Sequence, residues 1–206
     1  LAVDTNYYET YNRSNVTLVD VSQSPIQKIT QQGVYALDQE YNLDSLIMAT
    51  GFDAMTGTLL KIDIRGRDGL TLKEKWAEGP KGYLGLGISG FPNLFMITGP
   101  GSPSVLTNMM QSIEQHVDWI VACLEHLRTH NIAAIEATQS AEDDWVAHND
   151  AVADDHMRNS CSSWYVGGNI EGKPRVFMPY VGGFPLYVEK CNEVATQNYL
   201  GFTLTT

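Results

Sequence analysis

Asn93-Leu94-Phe95-Met96-Ile97-Thr98 runs straight into Gly99-Pro100-Gly101-Ser102-Pro103-Ser104, and a long periodic segment follows. The apolar run reads as a buried strand and the Gly/Pro/Ser stretch as a loop. Met109, Met110, Ile113, Val117, Ile120, Val121, Leu124 and Leu127 fall three or four apart against Gln111, Glu114, Asp118 and Glu125, which predicts an amphipathic helix over about 106–129. Strand, glycine loop and helix in that order aim backbone N–H groups and the positive end of a helix at electron-rich atoms. A phosphate would suit such a site, and so would a flavin pyrimidine edge, which becomes anionic on reduction. A plain strand-to-helix turn gives the same spacing, and spacing alone does not choose between them.

Outward from this segment, Val16-Thr17-Leu18-Val19-Asp20-Val21 predicts a strand. Ile26 to Thr30 and Val34 to Leu37 around Gly33 predict a hairpin, and Ser45 to Gly51 a short apolar strand. Residues 70–76 read as a short helix. A second helix is expected over about 141–157, capped by Ser140 with Asp143 three residues on and burying Trp145, Val146, Val152 and Ala153. Beyond Ser160 the chain is loop-like, with short strands expected around 175–178 and 184–188.

The 206 residues are 43% hydrophobic and 18% charged, a composition that folds around a core rather than staying disordered. Thirteen basic against 24 acidic residues give a net charge of −11, which argues against a nucleic-acid footprint or a polybasic membrane anchor. No apolar run is long enough to span a bilayer, so the chain reads as soluble and cytoplasmic. Cys123, Cys161 and Cys191 are far apart and odd in number, and read as ordinary thiols.

Several motifs invite chemistry that their context does not support. Gly85-Leu86-Gly87-Ile88-Ser89-Gly90 is a literal dinucleotide fingerprint, but Phe91-Pro92-Asn93 follows it instead of a helix, so it reads as turn glycines. His126 and His130 lie at a helix C-terminus without a carboxylate partner pattern, and no metal is expected there. Ser112 and His116 would be one helical turn apart, with no nucleophile elbow. Glu142-Asp143-Asp144 suits the first turn of a helix. Trp164, in a glycine-bearing loop, reads from composition alone as a plug over the core rather than a lid.

The ordered set Asp4-Thr5-Asn6-Tyr7-Tyr8-Glu9-Thr10-Tyr11-Asn12-Arg13, Ala49-Thr50-Gly51-Phe52-Asp53-Ala54, Tyr83-Leu84-Gly85-Leu86-Gly87, Gly90-Phe91-Pro92-Asn93-Leu94-Phe95, Ile97 to Ser104 and Gly172-Lys173-Pro174-Arg175-Val176-Phe177 resembles the C-terminal part of type I Baeyer–Villiger monooxygenases. The likeness covers essentially the whole chain. It implies an α/β fold made of the C-terminal portions of two Rossmann-like dinucleotide-binding domains of a larger flavoprotein. Residues 1–51 would end the NADP-binding domain, and 52–206 would form the second half of the FAD-binding domain, with a mobile loop near 155–172. The implied cofactors are FAD and NADP(H), and the implied partners are a ketone, O2 and the missing N-terminal half. A peroxyflavin would insert one oxygen to give an ester or lactone.

Position by position, the resemblance implies cofactor-binding roles for Ala49, Thr50 and Gly51, and for the flavin-side backbone at Gly99, Pro100 and Gly101. The Asn108 and Met109 amides would face the flavin pyrimidine edge, Ser104, Val105 and Leu106 would shape the ketone pocket, and Trp164 would reach the nicotinamide cofactor. The functional dinucleotide fingerprints would lie upstream, and the family's catalytic arginine would fall just before Leu1. No catalytic residue is therefore expected in this chain, and the isolated chain is expected to be inactive. The rival readings are a non-enzymatic cleavage product, a half-protein that needs an N-terminal partner, and a related N- or S-oxidising flavin monooxygenase.

Overall fold

A computed structural model of the protein describes residues 4–22, 24–154 and 163–206. Cys161, residues 155–157 of the second expected helix, and the 155–162 part of the expected mobile loop lie outside these residues. The chain divides into two compact units, Leu1–Thr50 and Gly51–Thr206.

The first unit holds a short helix, α1 (Tyr7–Thr10), and a three-stranded antiparallel sheet in sequence order, β1 (Lys28–Ile29), β2 (Gly33–Ala36) and β3 (Gln39–Asn42). β1 and β2 form the expected hairpin. The unexpected third strand is turned back by Leu37 and Asp38, with φ of 49° and 59°, as a two-residue hairpin turn requires. Leucine is an unusual residue for this turn, which hides the signal from composition. Val34 and Ala36 bury one face of the sheet. The strands expected at Val16–Val21 and Ser45–Gly51 do not form. A strand is defined by its ladder, and no described strand pairs with either run. Leu18, Ile47 and Met48 are left exposed.

The second unit contains α2 (Gly57–Leu60), α3 (Leu72–Lys75), α4 (Met109–Thr129), β4 (Ala134–Ala137), α5 (Gln139–Ala153), α6 (Phe184–Thr196) and β5 (Phe202–Thr205). β4 and β5 pair antiparallel and press Ile135 and Ala137 into a core with Trp119, Cys123 and Leu127 of α4, Trp145 of α5, and Tyr187, Cys191 and Val194 of α6. A smaller cluster gathers Leu72, Trp76, Ile88, Phe91 and Met96. Among the described residues, no helix is long and apolar enough to cross a membrane.

Five expectations for this unit need correction. Asn93 to Thr98 is a turn, an irregular stretch and a bend rather than a strand, with Asn93 and Thr98 at φ 59° and 55°. Among the described residues, its ladder-like bonds are Asn93 N–H to the Ile135 carbonyl and Met96 N–H to the Leu86 carbonyl. α4 begins at Met109 and not at 106, because Ser104–Leu106 forms a 3-10 turn and the Asn108 side chain caps the helix by accepting from Met110 N–H. α5 is capped by Thr138, whose Oγ accepts from Ala141 N–H, so Ser140 lies inside the helix. Phe184 to Val188 is helical: Pro185 suits the first turn, and Tyr187, Cys191 and Val194 recur at helical spacing. The stretch at 175–178 carries no ladder.

α4 also turns a different face inward than its apolar stripe suggests. The buried face is Ser112, His116, Trp119, Cys123 and Leu127, whereas Met110, Val117, Val121 and Leu124 are exposed. The helix has two apolar seams, and the one that holds a histidine and a serine is the one covered here.

The fingerprint-like glycines are fixed from inside the protein. Ser89 N–H donates to Glu142 Oε2 at 2.9 Å and Gly90 N–H to Glu136 Oε1 at 2.8 Å, so these amides are spent on carboxylates. Glu142 is fully buried and also pairs with Lys75 Nζ at 2.6 Å, which joins α3 to α5. A buried pair adds little net stability, but breaking it strands a charge. Glu142→Ala leaves Ser89 N–H unpaired and Lys75 without its carboxylate, left with Gln139 Oε1 at 3.0 Å, and is expected to lower the unfolding free energy by about 3–5 kcal/mol in denaturant titration. A loss below about 1 kcal/mol would contradict the network.

Candidate functional site

A cavity of about 540 Å3 in the second unit is walled by Ala54, Met55 and Leu59, by Leu94 to Gly99, by Ser104, Val105 and Met109, and by Trp164. Five of the residues singled out in the sequence therefore meet there: Gly99, Ser104, Val105, Met109 and Trp164. The others sit elsewhere. Pro100 and Gly101 are buried behind the wall, and Gly101 presents its carbonyl to Trp145 Nε1 at 2.9 Å. Leu106 packs with Ala153, Val166 and Phe177. Ala49 and Thr50 belong to the first unit and are exposed, as is Gly51.

The cavity wall depends on close approach of two loops. Gly85, at φ 68°, lies so near the Gly99–Ser102 loop that a Cβ on it would stand 2.8 Å from the Gly99 carbonyl oxygen. A Cβ on Gly99 would stand 2.6 Å from the Gly85 carbonyl oxygen. Neither position admits a side chain without moving backbone, so the turn glycines serve as a floor for the second loop.

At the other rim stands the N-terminus of α4. Asn108 Oδ1 satisfies Met110 N–H, but the Asn108 and Met109 amides find no protein acceptor among the described residues. Free donors beside an apolar cavity suit a planar ligand with an electron-rich edge, and the helix dipole adds to that preference. The residues present therefore fit a flavin pyrimidine edge better than they fit a closed hydrophobic plug.

Trp164 opens a 3-10 turn, Trp164–Val166, and stacks on Tyr165 with ring centroids 4.1 Å apart and planes at 22°. The following residues are clamped to the segment that carries Met55. Lys173 Nζ pairs with Asp53 Oδ1 at 2.6 Å and donates to the Ala54 carbonyl at 3.1 Å, and Asn169 Nδ2 donates to the Phe52 carbonyl at 2.9 Å. Ser104 Oγ contacts Met55 Sδ at 3.4 Å. Sequence reasoning missed Met55 and the Lys173–Asp53 pair. Both residues of the pair lie in motifs that carry the resemblance, but 120 residues of sequence separate them.

His116, one turn from Ser112, is fully buried and faces the back of the wall. It accepts from Thr98 N–H through Nδ1 at 2.8 Å, and its Nε2 is 2.8 Å from the Tyr187 hydroxyl. Burial pushes it down from 6.5 to about 4. His126 and His130 lie at the end of α4, where His130 Nδ1 is 2.8 Å from the His126 carbonyl. Among the described residues, no group of three or more His, Cys, Asp or Glu gathers for a metal. Cys123 and Cys191 are buried free thiols, raised to about 11 by desolvation.

The arrangement is an apolar cleft with the N-terminus of a long helix at its rim. No protein-family model matches the chain. Among curated proteins it is 43% identical to an acetone monooxygenase (methyl acetate-forming) of Gordonia sp. (strain TY-5), over 98% of this chain and 38% of that protein. It is 42% identical to a Baeyer–Villiger monooxygenase of Pseudooceanicola batsensis, over 94% of this chain and 35% of that protein. A phenazine N-monooxygenase of Lysobacter antibioticus is 40% identical over 97% of the chain and 37% of that protein. Among solved structures, an oxidized steroid monooxygenase bound to NADP matches with TM-score 0.83 and 50% identity, over 98% of this chain and 38% of that one. An OTEMO complex with FAD and NADP matches with TM-score 0.87 and 40% identity, over 98% and 37%. The chain is thus homologous along nearly its whole length to Baeyer–Villiger monooxygenases and corresponds to their C-terminal portion, spanning somewhat over a third of their length.

Two outcomes follow from this geometry. The folded His116 value, about 4, lies below the unfolded 6.5, so the unfolded chain takes up the proton first as pH falls. The contribution of His116 is full above about pH 6.5, declines towards pH 4 and is constant below, a loss of about 3 kcal/mol in all. Stability against pH should therefore lose that slope in His116→Asn, and an unchanged slope would contradict the assignment. Lys173→Met keeps the hydrocarbon stem but breaks the clamp. It is expected to cost about 1 kcal/mol and to expose residues 163–173 to limited proteolysis, whereas an unaltered cleavage pattern would show that the clamp holds nothing.

Proposed function

We propose that this chain forms the flavin- and ketone-facing part of an FAD- and NADPH-dependent monooxygenase that converts ketones to esters or lactones. The observation that carries the reading is the 540 Å3 cavity in which the 99–105 loop, the free amides opening α4 and Trp164 converge. In this reading Leu1–Thr50 ends an NADP-binding domain and Gly51–Thr206 forms the second half of an FAD-binding domain, with Ala49, Thr50 and Gly51 at the crossing.

The flavin, when bound, would supply the activated oxygen and NADPH the hydride. The chain's own residues do the positioning. Asn108 and Met109 N–H hold the pyrimidine edge, and the positive end of α4 favours negative charge there. Gly99 presents backbone to the ring system, while Gly101, behind the wall, ties the same loop to Trp145. Val105 and Met109 make the ketone wall apolar and help exclude water. Trp164, which lines the cavity on a loop clamped by Lys173 and Asp53, meets the nicotinamide cofactor. Among the described residues the cavity wall carries no charged side chain, and in this reading the charge-stabilising cation comes from outside this chain.

The chain spans about 38% of the relatives it matches, so activity is assigned to the protein that also carries the remainder. The 206-residue chain alone is expected to oxidise no ketone and to release FAD on gel filtration. The phenazine N-monooxygenase relative keeps N-oxidation as the second reading. Purified full-length protein with FAD and NADPH should consume NADPH with linear and cyclic ketones and yield esters or lactones. N-oxides or sulfoxides formed in place of esters would overturn the ketone assignment, and failure to retain FAD would overturn the flavin reading itself.

A further inference from the structure

Thr98 bounds the cavity beside Gly99 in a conformation that disfavours a β-branched residue, with φ 55°. Strain of this kind persists only where the surroundings over-determine it. Here the proton accounting identifies what does so. A backbone N–H can only donate, so His116 Nδ1, 2.8 Å from Thr98 N, must be bare. The Leu84 carbonyl can only accept, so the Tyr187 hydroxyl, 2.6 Å away, sends its proton there. His116 Nε2 must then carry the remaining proton and donate to Tyr187 Oη at 2.8 Å. One tautomer satisfies every member of the chain, and all of it from His116 to Leu84 is buried.

We infer that His116, backed by Tyr187, is a positioning residue that fixes the Thr98–Gly99 backbone against the flavin ring. A hydrocarbon side chain at 116 would fill the core at lower desolvation cost, but it could not hold an amide on the far side of the wall. The relay links that wall to α4, to α6 and to the Tyr83–Gly87 turn, whose Gly85 already supports Gly99 from below. His116 touches no substrate; it acts through Thr98. The inference rests on the flavin reading of the cavity.

The test uses full-length protein loaded with FAD. His116→Leu removes the acceptor, His116→Asn restores one at the Nδ1 position, and Cys123→Ala disturbs the same helix and core without reaching Thr98. His116→Leu should shift the bound-flavin absorbance bands, speed FAD release and lower kcat/KM about tenfold to a hundredfold, the scale of a misplacement near 1 Å. His116→Asn should recover the wild-type spectrum, and Cys123→Ala should lower Tm with the spectrum unchanged. Should His116→Leu not fold, His116→Gln reaches Tyr187 but not Thr98 and should show the same spectral shift. A wild-type spectrum in His116→Leu or His116→Gln, or an equal shift in Cys123→Ala, overturns the inference while leaving the flavin reading intact. A wild-type protein that holds no FAD overturns both.

Discussion

Two stretches of backbone touch at Gly85 and Gly99 with no room for a side chain on either, and the rest of the second unit is arranged around that contact. The carbonyl of one residue stands where a Cβ of the other would go. Once the contact is made, the 99–102 loop cannot sag away from the cavity, and the helix that follows starts from a fixed point. The Ser89 and Gly90 amides are tied to Glu142 and Glu136, so the supporting turn is itself braced by α5 and β4. A glycine pattern that mimics a phosphate cradle is thus structural, and the residues that leave donors free are those at the start of α4.

The same arrangement explains which polar groups are buried and why. Trp145 donates to the Gly101 carbonyl and Trp119 to the Cys191 carbonyl, so each large core ring also secures backbone. His116 does so from α4, and Lys173 does so from the loop that carries Trp164. These contacts cost desolvation that an apolar residue would avoid, and each is satisfied. The cavity wall at Gly99 is fixed by backbone contact, while the loop that carries Trp164 is tied to residues 52–54 by the Lys173–Asp53 ion pair and by hydrogen bonds from Lys173 and Asn169.

Much of the site was legible in the sequence, because the 97–104 loop and the α4 pattern are local features. Gly99, Ser104, Val105 and Met109 lie within a few residues of each other, and the resemblance added Trp164. The pieces that were not legible depend on contacts distant in sequence. Asp53 finds Lys173, and Glu142 finds Lys75 and Ser89, across gaps that periodicity cannot bridge. The inward face of α4 differs from the aliphatic stripe because the helix bears two apolar seams, and the covered one is carried by His116 and Trp119. Residues 184–188 have strand-like composition but form a helix, because Pro185 suits the first helical turn. The runs at 16–21 and 45–51 have strand composition, but composition supplies no partner strand.

The central claim is that the amides opening α4 receive the flavin pyrimidine edge at the cavity. The most direct measurement is an experimental structure of the full-length protein with FAD bound. The account places a pyrimidine oxygen or nitrogen at hydrogen-bond distance, about 2.7–3.2 Å, from the Asn108 or Met109 N–H, with the ring against Gly99 and Trp164 closing the opposite side. A flavin bound elsewhere, or these amides turned to a protein acceptor with FAD in place, would contradict it.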